Sequence, residues 1–157
     1  MKRPIHQTLV QLCFVSLMLT GAAFAQGTER RTQMKNLPAA VKATVQEQSK
    51  GARVRGLSVE TENGKKIYEA ELFVSGHNKD LLIDAEGKVI EVEEQIALSA
   101  LPPAVKAELL KQAGKGRIVI IEAVTKGDAL EFYEARVRSG LKIREVKISP
   151  AGQLMPK

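Results

Sequence analysis

The chain repeats itself, and that repeat constrains the fold more than any other feature. Leu37-Pro38-Ala39-Ala40-Val41-Lys42-Ala43 returns as Leu101-Pro102-Pro103-Ala104-Val105-Lys106-Ala107, an offset of 64. The correspondence runs on through Gln48 and Gln112, Arg53 and Arg117, Val54 and Ile118, and Leu57 and Ile121. After one inserted residue the offset becomes 65: Tyr68-Glu69-Ala70 meets Tyr133-Glu134-Ala135, Leu72 meets Val137, and Ile83 meets Ile148. Ala85-Glu86-Gly87 then corresponds to Pro150-Ala151-Gly152 and Val89 to Leu154.

Each unit opens with a short helix. Proline is tolerated in the first helical turn because its missing N–H would have no partner there, and Pro38 and Pro102-Pro103 stand at that point. Leu37, Val41 and Val45 form the apolar stripe of the first helix, and Leu101, Val105, Leu109 and Leu110 that of the second. Lys50-Gly51 and Gly114-Lys115-Gly116 supply the stops. The latter is not a phosphate loop, since no helix opens after it.

Three strands follow in each unit: 54–62, 66–74 and 79–84, then 117–125, 130–138 and 142–149. Asn63-Gly64 is a hairpin signal, replaced by Lys126-Gly127-Asp128 in the second unit, and Ser75-Gly76-His77-Asn78 and Ser139-Gly140 make the next turns. The expected fold is therefore α+β, a helix and a three-stranded antiparallel meander occurring twice, with the sheets continuous and the helices on one face. A strand's side chains alternate between faces. Tyr68, Ala70, Leu72 and Val74, with Tyr133, Ala135 and Val137, are thus expected against the helices, the two tyrosines as core aromatics.

The opposite face carries Ile67, Glu69, Glu71 and Phe73 in the first unit and Phe132, Glu134, Arg136 and Arg138 in the second. An antiparallel sheet commonly leaves one face uncovered. These eight residues form the candidate binding face, with Phe73 and Phe132 as its principal contacts, because binding energy concentrates on exposed aromatics.

Ahead of the repeats stands a leader. Lys2 and Arg3 precede an apolar stretch over 8–19, and Ala23-Phe24-Ala25 offers the small residues a signal peptidase reads, so cleavage is expected between Ala25 and Gln26. The organisation expected is a signal peptide over 1–25, a flexible N-terminal segment over 26–36, a first repeat over 37–92, a connector over 93–100 and a second repeat over 101–157. The expected location is periplasmic or secreted, with no membrane span after cleavage.

The single cysteine, Cys13, falls in mid-leader. The exported chain then has no thiol for a disulfide, a nucleophile or a metal, and no lipid anchor. With 24 Lys and Arg against 18 Asp and Glu, of which the leader removes Lys2 and Arg3, the remainder is mildly basic. Its charges are interleaved, so no nucleic-acid partner is expected.

Catalytic parts are missing from the sequence. Beyond the leader the one histidine is His77, read as an exposed turn residue, and Ser49, Ser58, Ser75, Ser99, Ser139 and Ser149 lie in no nucleophile elbow. Glu69 and Glu71, and Glu91, Glu93 and Glu94, read as solvated strand surface rather than an acid–base pair or a cation site. No enzyme activity, cofactor or metal is expected.

At the repeated Leu-Pro, at Tyr68-Glu69-Ala70 and Tyr133-Glu134-Ala135, and at the closing Ile83 to Val89 and Ile148 to Leu154 stretches, the sequence resembles the PepSY-like families. The nearest resemblance is to the periplasmic β-lactamase-inhibitor-like, PepSY-like domains. It spans residues 37–155. It implies a duplicated helix-plus-sheet module with one continuous sheet, and a binding or inhibitory role in the envelope, with no catalytic motif. The thiol-free chain departs from the inhibitor proteins in having no disulfides. The function expected is a non-enzymatic binding module, an inhibitor or regulator of an envelope enzyme acting through its open sheet face. The alternative is a small-ligand or envelope-polymer binding protein with its site in the groove between repeats. Partner identity and oligomeric state are not written in the sequence.

Overall fold

A computed structural model describes residues 29–62 and 64–156. The expected signal peptide lies outside the described residues, as does Asn63 of the first hairpin. Two helices, α1 (Ala39–Gln48) and α2 (Pro103–Ala113), accompany eight strands: β1 (Arg30–Arg31), β2 (Arg53–Glu62), β3 (Lys65–Val74), β4 (His77–Asp84), β5 (Val89–Gln95), β6 (Arg117–Lys126), β7 (Ala129–Ser139) and β8 (Lys142–Ile148). All eight form one open antiparallel sheet in which every strand pairs with its neighbour in sequence. The fold is α+β, as expected.

Each helix begins where its proline permits. Lys42 N–H donates to the Pro38 carbonyl and Lys106 N–H to the Pro102 carbonyl, both at 2.9 Å, closing the first turns. Short 3-10 turns, Met34–Asn36 and Leu98–Ala100, precede the two helices at corresponding places.

Helices of ten and eleven residues need tertiary packing to persist, and each finds it on the same side of the sheet. Leu37, Val41 and Val45 bury against Leu57, Tyr68, Ala70, Leu72, Leu81 and Ile83. Leu101, Val105, Leu109 and Ala113 bury against Ile121, Ala135, Val137, Val146 and Ile148, with Tyr133 at the border. Alternation along the paired strands, from Leu81 opposite Val92 to Val92 opposite Thr125, puts both cores on one face. Leu110 of the expected α2 stripe is instead 46% exposed.

The two halves share their details. A bulge between Val54 and Gly56 recurs between Ile118 and Ile120. The turn after β4 is closed by Gly87 N–H to the Asp84 carbonyl at 3.0 Å, and the turn after β8 by Gly152 N–H to the Ser149 carbonyl at 2.8 Å. Both glycines have positive φ, 87° and 84°, and both lie against a helix: a Cβ would stand 2.8 Å from the Ala40 carbonyl carbon in one case and 2.8 Å from the Ala104 Cβ in the other. Loop and helix thus touch backbone to backbone, and the Thr44 hydroxyl adds a bond to the Gly87 carbonyl at 2.6 Å.

Two strands stand beyond the six expected. β5 lies between the halves, paired with β4 on one side and β6 on the other. β1 holds the corresponding place on β2: Arg30 and Arg31 sit opposite Val59 and Ser58, as Glu94 and Gln95 sit opposite Ala123 and Glu122.

Candidate functional site

The helix-free face of the sheet carries all eight residues of the candidate binding face. Register alternation sets Ile67, Glu69, Glu71 and Phe73 on β3 and Phe132, Glu134, Arg136 and Arg138 on β7 opposite the core. They are not one contiguous group, because β4, β5 and β6 run between the two sets.

One transverse row across this face reads Gly56, Glu71, Asp80, Glu93, Val124, Phe132. The next reads Ser58, Glu69, Leu82, Glu91, Lys126. Glu71, Asp80 and Glu93 are therefore direct cross-strand neighbours, an arrangement that repels when all are ionised. Glu122 on β6 completes a cluster with Asp80 and Glu93 in which the three contribute carboxylate oxygens within 4.8 Å of one another.

This face is drier than its polar composition suggests. Glu71, Glu122 and Ser58 are buried, and so are Leu82 and Val124, although neither belongs to a helix-facing core. Glu71 was expected on solvated surface. It is instead buried because Arg31 crosses the sheet to it, guanidinium to carboxylate at 2.5 Å. Gly56 makes room for that crossing, since a Cβ there would overlap the Arg31 guanidinium and come within 2.8 Å of the Glu71 carboxyl.

Burial sets the electrostatics. It pushes Asp80 up to about 7, with the charges of Glu69, Glu122 and Glu71 adding to the rise and Arg136 opposing it. It pushes Glu93 up to about 8, reinforced by Glu122, Glu91, Glu134 and Asp80. Glu122 is raised by burial against the attraction of Arg136, whose guanidinium lies 3.3 Å away, and Glu145 is raised by burial and by Glu134. Burial and the neighbouring carboxylates thus favour the protonated forms of Asp80 and Glu93, a preference that a cation above the cluster would reverse. Three carboxylates supply only part of the roughly six to eight oxygens calcium takes, and Arg136 already compensates one of them.

The aromatics stand at the flanks. Phe73 is 36% exposed, with the Arg53 and Arg55 guanidinium groups 5.6 and 6.0 Å from its ring centre. Phe132 is half-buried under the Lys147 ammonium at 4.8 Å, and Lys147 also pairs with Glu134 at 3.1 Å.

His77 was expected in an exposed turn. It begins β4, half-buried, with Nε2 2.8 Å from Glu94 Oε1, while Lys79 Nζ reaches the same carboxylate at 3.2 Å. Burial raises Glu94, but its bonds with His77 and Lys79 outweigh that and hold it below the usual carboxylate range. The convergence of Asp80, Glu93 and Glu122 was missed because β5 was not expected; the spacing of Asp80, Glu91 and Glu93 around the Ala85–Lys88 turn is the sequence signal that points to it. Among the described residues no helix is long and apolar enough to cross a membrane.

An α+β sheet with both helices on one face and an open second face defines the class. No family model and no curated protein matches the chain. Solved structures share its fold: a DUF2874 family protein from Bacteroides ovatus at TM-score 0.60 and 15% identity, over 77% of this chain and 86% of that one. A Bacteroides eggerthii protein, described provisionally as periplasmic, aligns at TM-score 0.62 and 12% identity over 76% and 86%. A BLIP-like protein from Bacteroides fragilis aligns at TM-score 0.56 and 16% identity over 76% and 84%. The chain has the fold of these DUF2874 and BLIP-like proteins.

Proposed function

We propose that this chain is an exported, non-enzymatic binding module of the cell envelope that engages a protein through the helix-free face of its sheet, as an inhibitor or regulator of that protein. The observation that carries this reading is the cross-strand pair Asp80 and Glu93: carboxyl groups held close together on a face that no helix of the described residues covers. A structural sheet gains nothing from like charges set opposite one another. A partner presenting a lysine or arginine there favours the ionised carboxylates that burial otherwise disfavours, and Phe73 and Phe132 at the flanks offer it apolar contact. The BLIP-like description of one structural relative agrees with a binding role, and the leader at 1–25 agrees with export. His77, the one histidine beyond that leader, is engaged with Glu94 rather than poised beside a serine, which favours binding over hydrolysis.

The test is capture from an envelope extract with the wild-type chain, followed by titration of the purified partner against Phe73→Ala/Phe132→Ala and Asp80→Asn/Glu93→Gln. Loss of affinity in both variants is expected; unchanged affinity removes the face from consideration. Metal salts and envelope polymers tested by thermal shift address the alternative. A saturable rise in Tm with one of them, and no protein captured, favours a small-ligand or polymer-binding protein.

A further inference from the structure

We propose that the outer edge of β8 is a docking site for an extended acidic segment of another protein, which adds to the sheet as a further strand. The site is separate from the helix-free face. The structure contains its own template for it, because β4 and β8 occupy corresponding places and only β4 has its outer edge filled along its length.

On β4 the occupant is β5. Val89 sits opposite Ile83, Glu91 opposite Leu82, Val92 opposite Leu81, Glu93 opposite Asp80 and Glu94 opposite Lys79. At the offset of 65 the same positions on β8 are Ile148, Lys147, Val146, Glu145 and Arg144, with Lys142 in the place of His77. The approach to both edges is also alike. Asp84 N–H donates to the Lys88 carbonyl at 2.9 Å, and Ser149 N–H to the Gln153 carbonyl at 2.8 Å. Leu154 then bridges to Ile148, as Val89 does to Ile83, and Met155 N–H reaches the Lys147 carbonyl at 2.9 Å. There the likeness stops. Among the described residues nothing pairs with residues 142–146 on the side away from β7. Leu141 is fully exposed and Ile143 half exposed beside that open edge.

An open edge offers unpaired N–H and C=O groups to any extended chain, so side chains must select the guest. On β4, Glu94 is held by His77 at 2.8 Å and Lys79 at 3.2 Å. On β8 the two corresponding groups are Lys142 and Arg144, a stronger demand for a carboxylate at that position. Lys147, in the place of Leu82, is already met by Met155 at its carbonyl and by Glu134 at its ammonium, so the open positions begin at Val146. Val146 replaces Leu81 and asks for an apolar residue at the Val92 position. Glu145 replaces Asp80 and asks for a neutral residue opposite. The guest therefore reads apolar, neutral, acidic.

A second copy of this chain does not meet that pattern. Its own counterpart of Glu94–Gln95 is Arg30–Arg31, which would set Arg30 against Arg144. Like charges across a strand pair disfavour that contact, and a second β8 would bring its own Lys142, Arg144 and Lys147 to the same basic edge, so the guest proposed is a different protein.

The experiment uses a capped seven-residue peptide with the sequence of residues 92–98 and glutamine in the place of Glu93, titrated into the purified chain, with amide hydrogen exchange to locate it. Saturable binding is expected, with slowed exchange over residues 142–146 and weakening as salt is raised. Arg144→Glu and, separately, Lys142→Glu each lower the affinity about ten-fold or more. The second variant matters because Arg144 also bonds the Gln112 carbonyl at the end of α2, so its replacement removes a fold contact as well as a docking group. A peptide with lysine at the Glu94 position does not bind. Absence of binding, equal binding of the lysine peptide, or protection on β4 in place of β8 overturns the proposal. So does self-association that protects residues 142–146 without peptide, since the occupant is then a second copy.

Discussion

Asp80 and Glu93 face each other across β4 and β5, two carboxyl groups in direct cross-strand register on the strand pair that joins the halves of the sheet. Their consequence is a stability that depends on pH in an unusual direction. Below pH about 4 both groups are protonated in the folded and unfolded chain alike. As pH rises the unfolded chain releases its protons, while the folded chain keeps them until Asp80 titrates at about 7 and Glu93 at about 8. Within that window the native state binds more protons than the unfolded state, so stability falls as pH rises, by up to about 1.4 kcal/mol per pH unit for each retained proton.

Urea unfolding at pH 5, 6.5 and 8 is expected to show that decline in the wild type. In Asp80→Asn/Glu93→Gln the decline flattens, and the variant exceeds the wild type by roughly 2 kcal/mol at pH 8. A wild type as stable at pH 8 as at pH 5 contradicts the assignment. Glu94, held below its usual range, acts with the opposite sign, and its contribution is lost at acid pH as it protonates.

Arg31 and Glu71 form the second electrostatic relationship. Arg31→Ala leaves a buried carboxylate without the guanidinium that crosses to it, and a cost of about 1–2 kcal/mol is expected. Adding Glu71→Gln recovers part of that loss. Gly56→Ala displaces the Arg31 side chain by volume alone. Exchange of the Thr32 amide, bonded to the Leu57 carbonyl at 2.9 Å, then quickens while the core amides keep their protection. Unchanged Thr32 exchange in both Arg31→Ala and Gly56→Ala would show that β1 is held by its backbone bonds alone.

Gly87→Ala and Gly152→Ala are each expected to cost about 2 kcal/mol or more, since positive φ and a clash act together. The Gly87 clash is with the Ala40 carbonyl, which no side-chain rotation relieves. Thermal denaturation reads the loss, and a Tm within error of wild type for either variant refutes the close approach.

Leu109 and Leu110 are neighbours with opposite fates, 1% and 46% exposed. Leu109→Ala should cost about 2–5 kcal/mol through the cavity it leaves, and Leu110→Ala under about 1 kcal/mol. Comparable losses in denaturant midpoint would mean that α2 is rotated from the orientation described.

Much of this architecture is legible in the chain itself. Leu37-Pro38 and Leu101-Pro102 mark the helix starts, and the period of two in Tyr68, Ala70 and Leu72 marks the face that meets them. β5 is not legible, because Glu91, Glu93 and Glu94 break the apolar alternation and every residue of the strand is of intermediate exposure. β1 has only Arg30 and Arg31, with no pattern to read; its strand geometry comes from the edge of β2. The Asp80, Glu93, Glu122 cluster depends on register across three strands, and register follows from the turn and bulge after β4 more than from composition. The eight-residue face is legible as a face, but the burial of Glu71 beneath Arg31 is not, since it depends on a side chain arriving from forty residues away.

Strand order along the sheet is the same as strand order along the chain. A polypeptide threaded from its N-terminus can therefore add each strand to one already in place, with no closure waiting on a distant segment. Folding rates track the sequence separation of contacts, so assembly is expected to be quick and vectorial. The half containing α1 can take shape before α2 emerges, and β5 serves as its temporary outer rim until β6 arrives to cover it.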